Sequence, residues 1–205
     1  MNKFLKIAAL SLALLLILAP TSEAGKPRFR YGVQWGYSAL GASGCEYTIY
    51  NSVGSRVSDG KPFVPHYFTN AYFSADLGLE FARYFALTAK AGYRGIDRDY
   101  RVAPVELQLS LFPFGYERSG MFLFGSGGLA LYDWSLADKI NLLSGGMGYR
   151  HNLSRKISLD GIFRLNYINC SPLVVDDYEG VVPRDRTVYS RATHLTADVG
   201  VVLYF

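Results

Sequence analysis

His194-Leu195-Thr196-Ala197-Asp198-Val199-Gly200-Val201-Val202-Leu203-Tyr204-Phe205 closes the chain, and its reading decides the fold. Odd positions carry Leu195, Ala197, Val199, Val201, Leu203 and Phe205; even positions carry His194, Thr196, Asp198, Gly200, Val202 and Tyr204. Successive side chains of a strand face opposite ways, so this segment has one wholly apolar face and one mostly polar or small face. It stops on an aromatic with no charged tail. In a soluble protein such an edge invites aggregation. A strand that closes a barrel in a membrane has no free edge to protect.

The other end predicts export. Met1-Asn2-Lys3-Phe4-Leu5-Lys6 is a short basic start, the run Ile7 to Ala19 is apolar, and Pro20-Thr21-Ser22-Glu23-Ala24 ends in small residues. That pattern is a signal peptide over residues 1–24, cleaved after Ala24. The apolar run is shorter than the roughly 20 residues a spanning helix needs. No Cys stands at the cleavage point, and Gly44-Cys45 lies too far downstream to make a lipoprotein. Residues 25–205 are then a single barrel-sized domain.

Removing Lys3, Lys6 and Glu23 from 21 basic and 17 acidic residues leaves 19 and 16 in the mature chain. That balance is too mild for a nucleic-acid partner, and no basic run appears. Sixteen Tyr and thirteen Phe are more telling, because aromatics at that density suit strands and the girdles of membrane barrels.

Period-two segments recur along the whole mature chain. They cover about 28–39, 67–82, 85–94, 102–112, 121–133, 139–149, 156–169 and the terminal stretch. Six alternate clearly. The fifth and sixth are apolar or Gly-filled on both sides, so their facing is not readable. Short turns at 83–84, 113–120 and 152–155 alternate with longer gaps near 40–66, 95–101, 134–138 and 170–191. Short turns on the periplasmic side and long loops outside are the asymmetry of outer-membrane barrels. The expected fold is all-β, an eight-stranded antiparallel up-and-down transmembrane barrel.

With apolar faces turned to lipid, the opposite faces share the lumen. They carry Arg30, Lys90, Arg94, Lys156 and Arg164 against Asp76, Glu80, Glu106, Asp160 and Asp198. Charges held away from water must be paired, and an eight-strand lumen is just wide enough for side chains to fill. A salt-bridged, plugged interior follows, with Arg30 and Lys156 expected near solvated rims. The inside-out alternative is a soluble lipocalin-like carrier. The uniformly large apolar face, the matched charges and the terminal Phe205 argue against it.

Over its mature length the chain resembles the small outer-membrane β-barrel proteins, the OmpA/OmpX/OmpW-like and PorT-like group. The resemblance implies an outer-membrane location, contact with outer-membrane lipid, and delivery by the barrel-assembly machinery. It also implies that the terminal strand, with Val201, Leu203, Tyr204 and Phe205, is the assembly signal.

No chemistry rises above this background. His66, His151 and His194 lack a nucleophile in fixed relation to them; His194-x-x-x-Asp198 reads as part of the polar lumen. Two loose histidines make no metal site, and Asp176-Asp177-Tyr178-Glu179 reads as solvated acid rather than a calcium loop. The glycines at 125, 127, 128, 145 and 146 sit mid-strand without the Lys-Ser/Thr of a phosphate loop. No cofactor and no catalytic activity are expected. Cys45 and Cys170 fall in neighbouring loops and are a candidate disulfide. The function expected is a non-enzymatic barrel whose loops 41–66 and 170–191 serve envelope stability, adhesion or an extracellular partner. The alternatives are a small-solute channel and, behind it, a lipid A-modifying enzyme.

Overall fold

In the computed structural model, which describes residues 27–96, 101–132, 135–154, 156–176 and 180–205, eight long strands close on themselves. They are β1 (Arg28–Tyr50), β2 (Arg56–Ala82), β3 (Phe85–Gly95), β4 (Arg101–Leu111), β5 (Gly120–Tyr132), β6 (Ser135–Asn152), β7 (Ser158–Cys170) and, after a small hairpin, β10 (Thr187–Tyr204). The hairpin is β8 (Val175–Asp176) with β9 (Gly180–Val181), and a 3-10 turn at Arg184–Arg186 leads into β10. Every neighbour in the barrel is antiparallel, and β10 returns to pair with β1. The residues 1–24 expected to form a signal peptide lie outside the described residues.

The wall is inverted relative to a soluble barrel. Tyr31, Leu77, Val105, Leu143, Leu165 and Val199 are all more than half exposed, whereas the lumen side holds buried Arg, Lys, Asp and Glu. Contiguous apolar surface of that extent is what a lipid-facing wall requires. The terminal strand follows its sequence pattern: Thr196, Asp198, Val202 and Tyr204 are buried inside, and Leu195, Val199 and Phe205 face out. Phe205 stacks on Tyr31 of the first strand at 5.6 Å, and Phe205 N–H donates to the Tyr31 carbonyl at 2.8 Å.

β5 and β6, unreadable from periodicity, are now explained. Even positions face inward on both: Phe122 and Phe124 on β5 lie opposite Gly148 and Gly146 on β6. A Cβ at Gly148 would stand 2.4 Å from the Phe122 ring, and one at Gly146 2.9 Å from that of Phe124. The glycines make room for inward aromatics, so the polar inner face is reduced to Ser126 on β5 and to Ser144 and Arg150 on β6.

The stretch 41–66, expected as a loop, is mostly strand. β1 and β2 stay paired from Ala42↔Pro65 to Tyr50↔Arg56 and turn only at 51–55, where Gly54 adopts φ +78°. β10 follows β1 out to Ile49↔Thr187. Beyond Cys45, opposite the end of β7, the three strands form a fin projecting roughly 17 Å along the strand direction, at some 3.3 Å per residue. Ile49, Val174 and Val182, with Tyr47 against them, pack a small core that ties this fin to the segment after β7.

Candidate functional site

The lumen is the only place where reactive and charged side chains gather among the described residues, and strand register builds it. On β2, β3 and β4, Asp76 lies opposite Lys90, which lies opposite Glu106. Asp198 on β10 lies opposite Arg164 on β7, and Asp160 on β7 opposite Arg150 on β6. Directly opposed residues of one face are close enough to interact. Each pair therefore meets because hairpin register places opposite charges side by side.

Two clusters result. In the first, Asp198 is fully buried and its Oδ2 accepts hydrogen bonds from Arg94 Nη2 at 2.7 Å and Arg164 Nε at 3.0 Å, with Arg164 Nη2 at ion-pair distance, 2.9 Å. Arg164 reaches on to Glu106 at 3.4 Å, and Ser126 Oγ donates to the same carboxylate at 2.8 Å. The Tyr72 ring lies beside both guanidinium groups, 5.2 Å from Arg94 and 5.4 Å from Arg164. Lys90 Nζ sits 3.4 Å from Asp76 and donates to Gln34 Oε1 at 2.6 Å; Ser74 and Tyr204 hydroxyls also donate to Asp76. Three cations thus face three carboxylates.

The second cluster lies nearer the short turns. Arg150 grips Asp160 with two parallel bonds, Nε to Oδ1 at 2.9 Å and Nη2 to Oδ2 at 2.8 Å, and gives Nη1 to Glu80 at 2.9 Å. Arg30 approaches Glu80 at 3.3 Å and donates to Ser158 Oγ at 2.8 Å. The Arg150 guanidinium lies over the Phe112 ring at 4.4 Å. Two cations face two carboxylates, so each cluster is neutral by itself. Bidentate Arg–carboxylate geometry of this kind is among the stronger ways to hold a buried pair.

An apolar cluster of Phe112, Tyr116, Phe122, Phe124, Ile162, Val202 and Tyr204 packs around the second charge cluster and separates it from the first. Burial, followed by the negative charges of Glu80 and Glu117, holds the Tyr116 hydroxyl above its ordinary pKa. At the loop end, Ile96, Val102, Ile140, Leu142, Ile168 and Cys170 form another.

Nine of the ten charged residues expected on the lumen face are buried there, split between the two clusters rather than joined in one network. Arg30, expected near a solvated rim, is buried at 4% exposure; Lys156 is exposed and takes no part. Its place in the charge balance belongs to Arg150, one residue beyond the expected end of the sixth segment. The signal that finds it is the even-position parity running from Ser144 through Gly146 and Gly148 to Arg150.

Cys45 and Cys170 are free thiols, which corrects the candidate disulfide. Both lie in register with Ala192, one on each side of β10. Two strand spacings place their Cα atoms roughly 9–10 Å apart, beyond the reach of a disulfide. Cys170 Sγ instead contacts the Ala192 carbonyl at 3.7 Å.

His151 is exposed at the turn end, and His194 is half-buried at the loop end. The His66 side chain and residues 177–179 of the acidic stretch lie outside the described residues. Asp198, the acid spaced to orient His194, is bound instead to two arginines. Val201 and Leu203 of the terminal strand face the wall exterior and Tyr204 the lumen, where it is 5% exposed.

No protein-family model matches the chain, and no curated protein does. Among solved structures it is similar to the outer membrane protein OprG from Pseudomonas aeruginosa, at 11% identity and TM-score 0.47, covering 88% of this chain and 98% of that one. Neisserial surface protein A is similar at 12% identity and TM-score 0.42, covering 88% and 100%. The outer membrane protease OmpT from Escherichia coli gives 8% identity and TM-score 0.37, covering 91% and 99%. At such values function has to be argued from this chain's own residues.

Proposed function

We propose that the protein is a non-enzymatic bacterial outer-membrane barrel. In this reading its lumen is sealed, and its work is done by the fin and the segment after β7 at the outer surface. The observation that carries it is the interior itself: two neutral charge clusters, internally paired and separated by buried aromatic and aliphatic side chains. A conducting lumen needs a continuous wetted path. Here Tyr72, Arg94, Arg164, Phe112 and Phe122 fill the interior, buried and packed ring against guanidinium and ring against ring. The short turns then face the periplasm and the fin faces outward, as asymmetric loop lengths favour. Tyr50, Val53 and Val57 near the fin tip are exposed apolar side chains suited to contact with a surface partner.

The test is planar-bilayer recording from the purified, refolded protein. The sealed reading expects no sustained single-channel steps. Reproducible steps of defined conductance would overturn it in favour of a small-solute channel.

A further inference from the structure

Below the second charge cluster the turn end opens into a vestibule of about 440 Å³, lined by Arg28, Arg30, Glu117, Asn152 and Ser154. Arg28 and Arg30 share one parity on β1, and Arg150 and Asn152 share one on β6. The vestibule therefore lies inside the barrel mouth and not on the lipid-facing wall. Its ceiling is Arg30, held by Glu80 and Ser158, with Arg150 and Phe112 beyond. It is a dead end of a size that admits a small ligand.

Its polar groups are of both kinds. Arg28 and Glu117 stand 3.9 Å apart at the rim, too far for a hydrogen bond, and both are substantially exposed, at 44% and 69%. A pair with that geometry contributes little by itself, and both groups stay available to a ligand. The Asn152 side chain donates Nδ2 to the Glu117 carbonyl at 2.9 Å, and its backbone N–H donates to Ser119 Oγ at 3.0 Å. That fixes the amide and leaves its buried Oδ1 without a donor. Ser154 Oγ accepts the backbone N–H groups of Lys156 and Ile157, leaving its own hydrogen to give. The mouth thus offers a cation and a hydroxyl donor, and an anion.

We propose that this vestibule binds a zwitterionic amino acid or short peptide. Its carboxylate lies on Arg28 and Ser154, and its ammonium on Glu117. A purely anionic ligand would be repelled by Glu117; Asn152 Oδ1, closed off from the mouth, takes no part. Lipid headgroups around the wall do not reach a site on the barrel axis. With the turns towards the periplasm, as proposed above, the ligand comes from that compartment, and the sealed ceiling makes the site a receptor rather than a channel entrance.

The test uses the refolded barrel in detergent micelles, titrated with alanyl-alanine and followed by amide chemical shifts of the labelled protein. Saturable shifts are expected at the turn end, including Asn152 and Ser154. The C-terminally amidated and N-acetylated dipeptides should each bind at least about tenfold more weakly, the equivalent of one lost charge-assisted contact. Arg28→Gln and Glu117→Gln should do the same to the parent dipeptide, while Arg118→Gln, on the exposed side of the same turn, should not. Absence of saturable shifts would overturn the proposal. So would equal binding of the blocked dipeptides, a comparison made on the unaltered protein and independent of how any variant folds.

Discussion

Asp198→Asn is the most demanding perturbation of the lumen, because one buried oxygen holds two guanidinium groups. Asp198 is fully buried and accepts one hydrogen bond from Arg94 at 2.7 Å and one from Arg164 Nε at 3.0 Å, with Arg164 Nη2 at ion-pair distance, 2.9 Å. A charged hydrogen bond contributes about 1.5–3 kcal/mol and a neutral one about 0.5–1.5. Replacing carboxylate by amide therefore costs about 1–1.5 kcal/mol per bond. Two such losses come to about 2–3 kcal/mol, and loss of the ion pair carries the total towards the roughly 3–5 kcal/mol expected when one partner of a buried pair is removed. The cluster changes from neutral to +1, so a second change that removes a cation should recover part of the loss. Arg94→Met is suited to that, since it removes the charge while leaving an unbranched apolar side chain to occupy the space beside the Tyr72 ring. Urea unfolding in lipid vesicles, followed by tryptophan fluorescence and the heat-dependent gel shift of folded barrels, measures both. The reasoning fails if Asp198→Asn costs less than about 1 kcal/mol, or if the double variant is as unstable as the sum of the singles.

Arg150→Ala should destabilise by about 3–5 kcal/mol because it leaves Asp160 without a cation and Glu80 with Arg30 alone, whereas Lys156→Ala should fall within about 0.5 kcal/mol of the parent in the same urea assay. Gly148→Ala forces a Cβ against the Phe122 ring at 2.4 Å and should cost about 1–3 kcal/mol; Phe122→Leu in the same chain should restore part of it. Intact-mass measurement after alkylation without reductant should show both Cys45 and Cys170 modified, and a retained disulfide would contradict the register. Planar-bilayer recordings of the parent should remain silent.

Where one face of a strand is apolar and the other polar, residue parity alone assigns each side chain to wall or lumen. Asp76, Lys90, Glu106, Arg164 and Asp198 were legible for that reason. Parity does not reveal cross-strand register, so the division into two neutral clusters was hidden, as was the placement of Cys45 and Cys170 on either side of Ala192. Parity also fails where an inward aromatic occupies the space of a glycine on the next strand. Phe122 and Phe124 against Gly148 and Gly146 defeated it, and Arg150 was lost with them. The fin was missed for another cause. Gly, Pro and charge in 41–66 read as loop, yet pairing between β1, β2 and β10 compensates for weak strand propensity.

The position of Asp198 on the last strand bears on how the barrel reaches the membrane. Arg94 stands on β3 and Arg164 on β7, and both depend on a carboxylate that arrives only with β10. A seven-strand sheet that curled up early, joining β1 to β7, would enclose a cluster with one uncompensated positive charge, three cations against Glu106 and Asp76 alone. Burial of unpaired charge is costly enough to disfavour that closure. Docking of the C-terminal strand hence completes the hydrogen-bonded ring and discharges the interior in one event, so the chain is kept from sealing before its final stave is present.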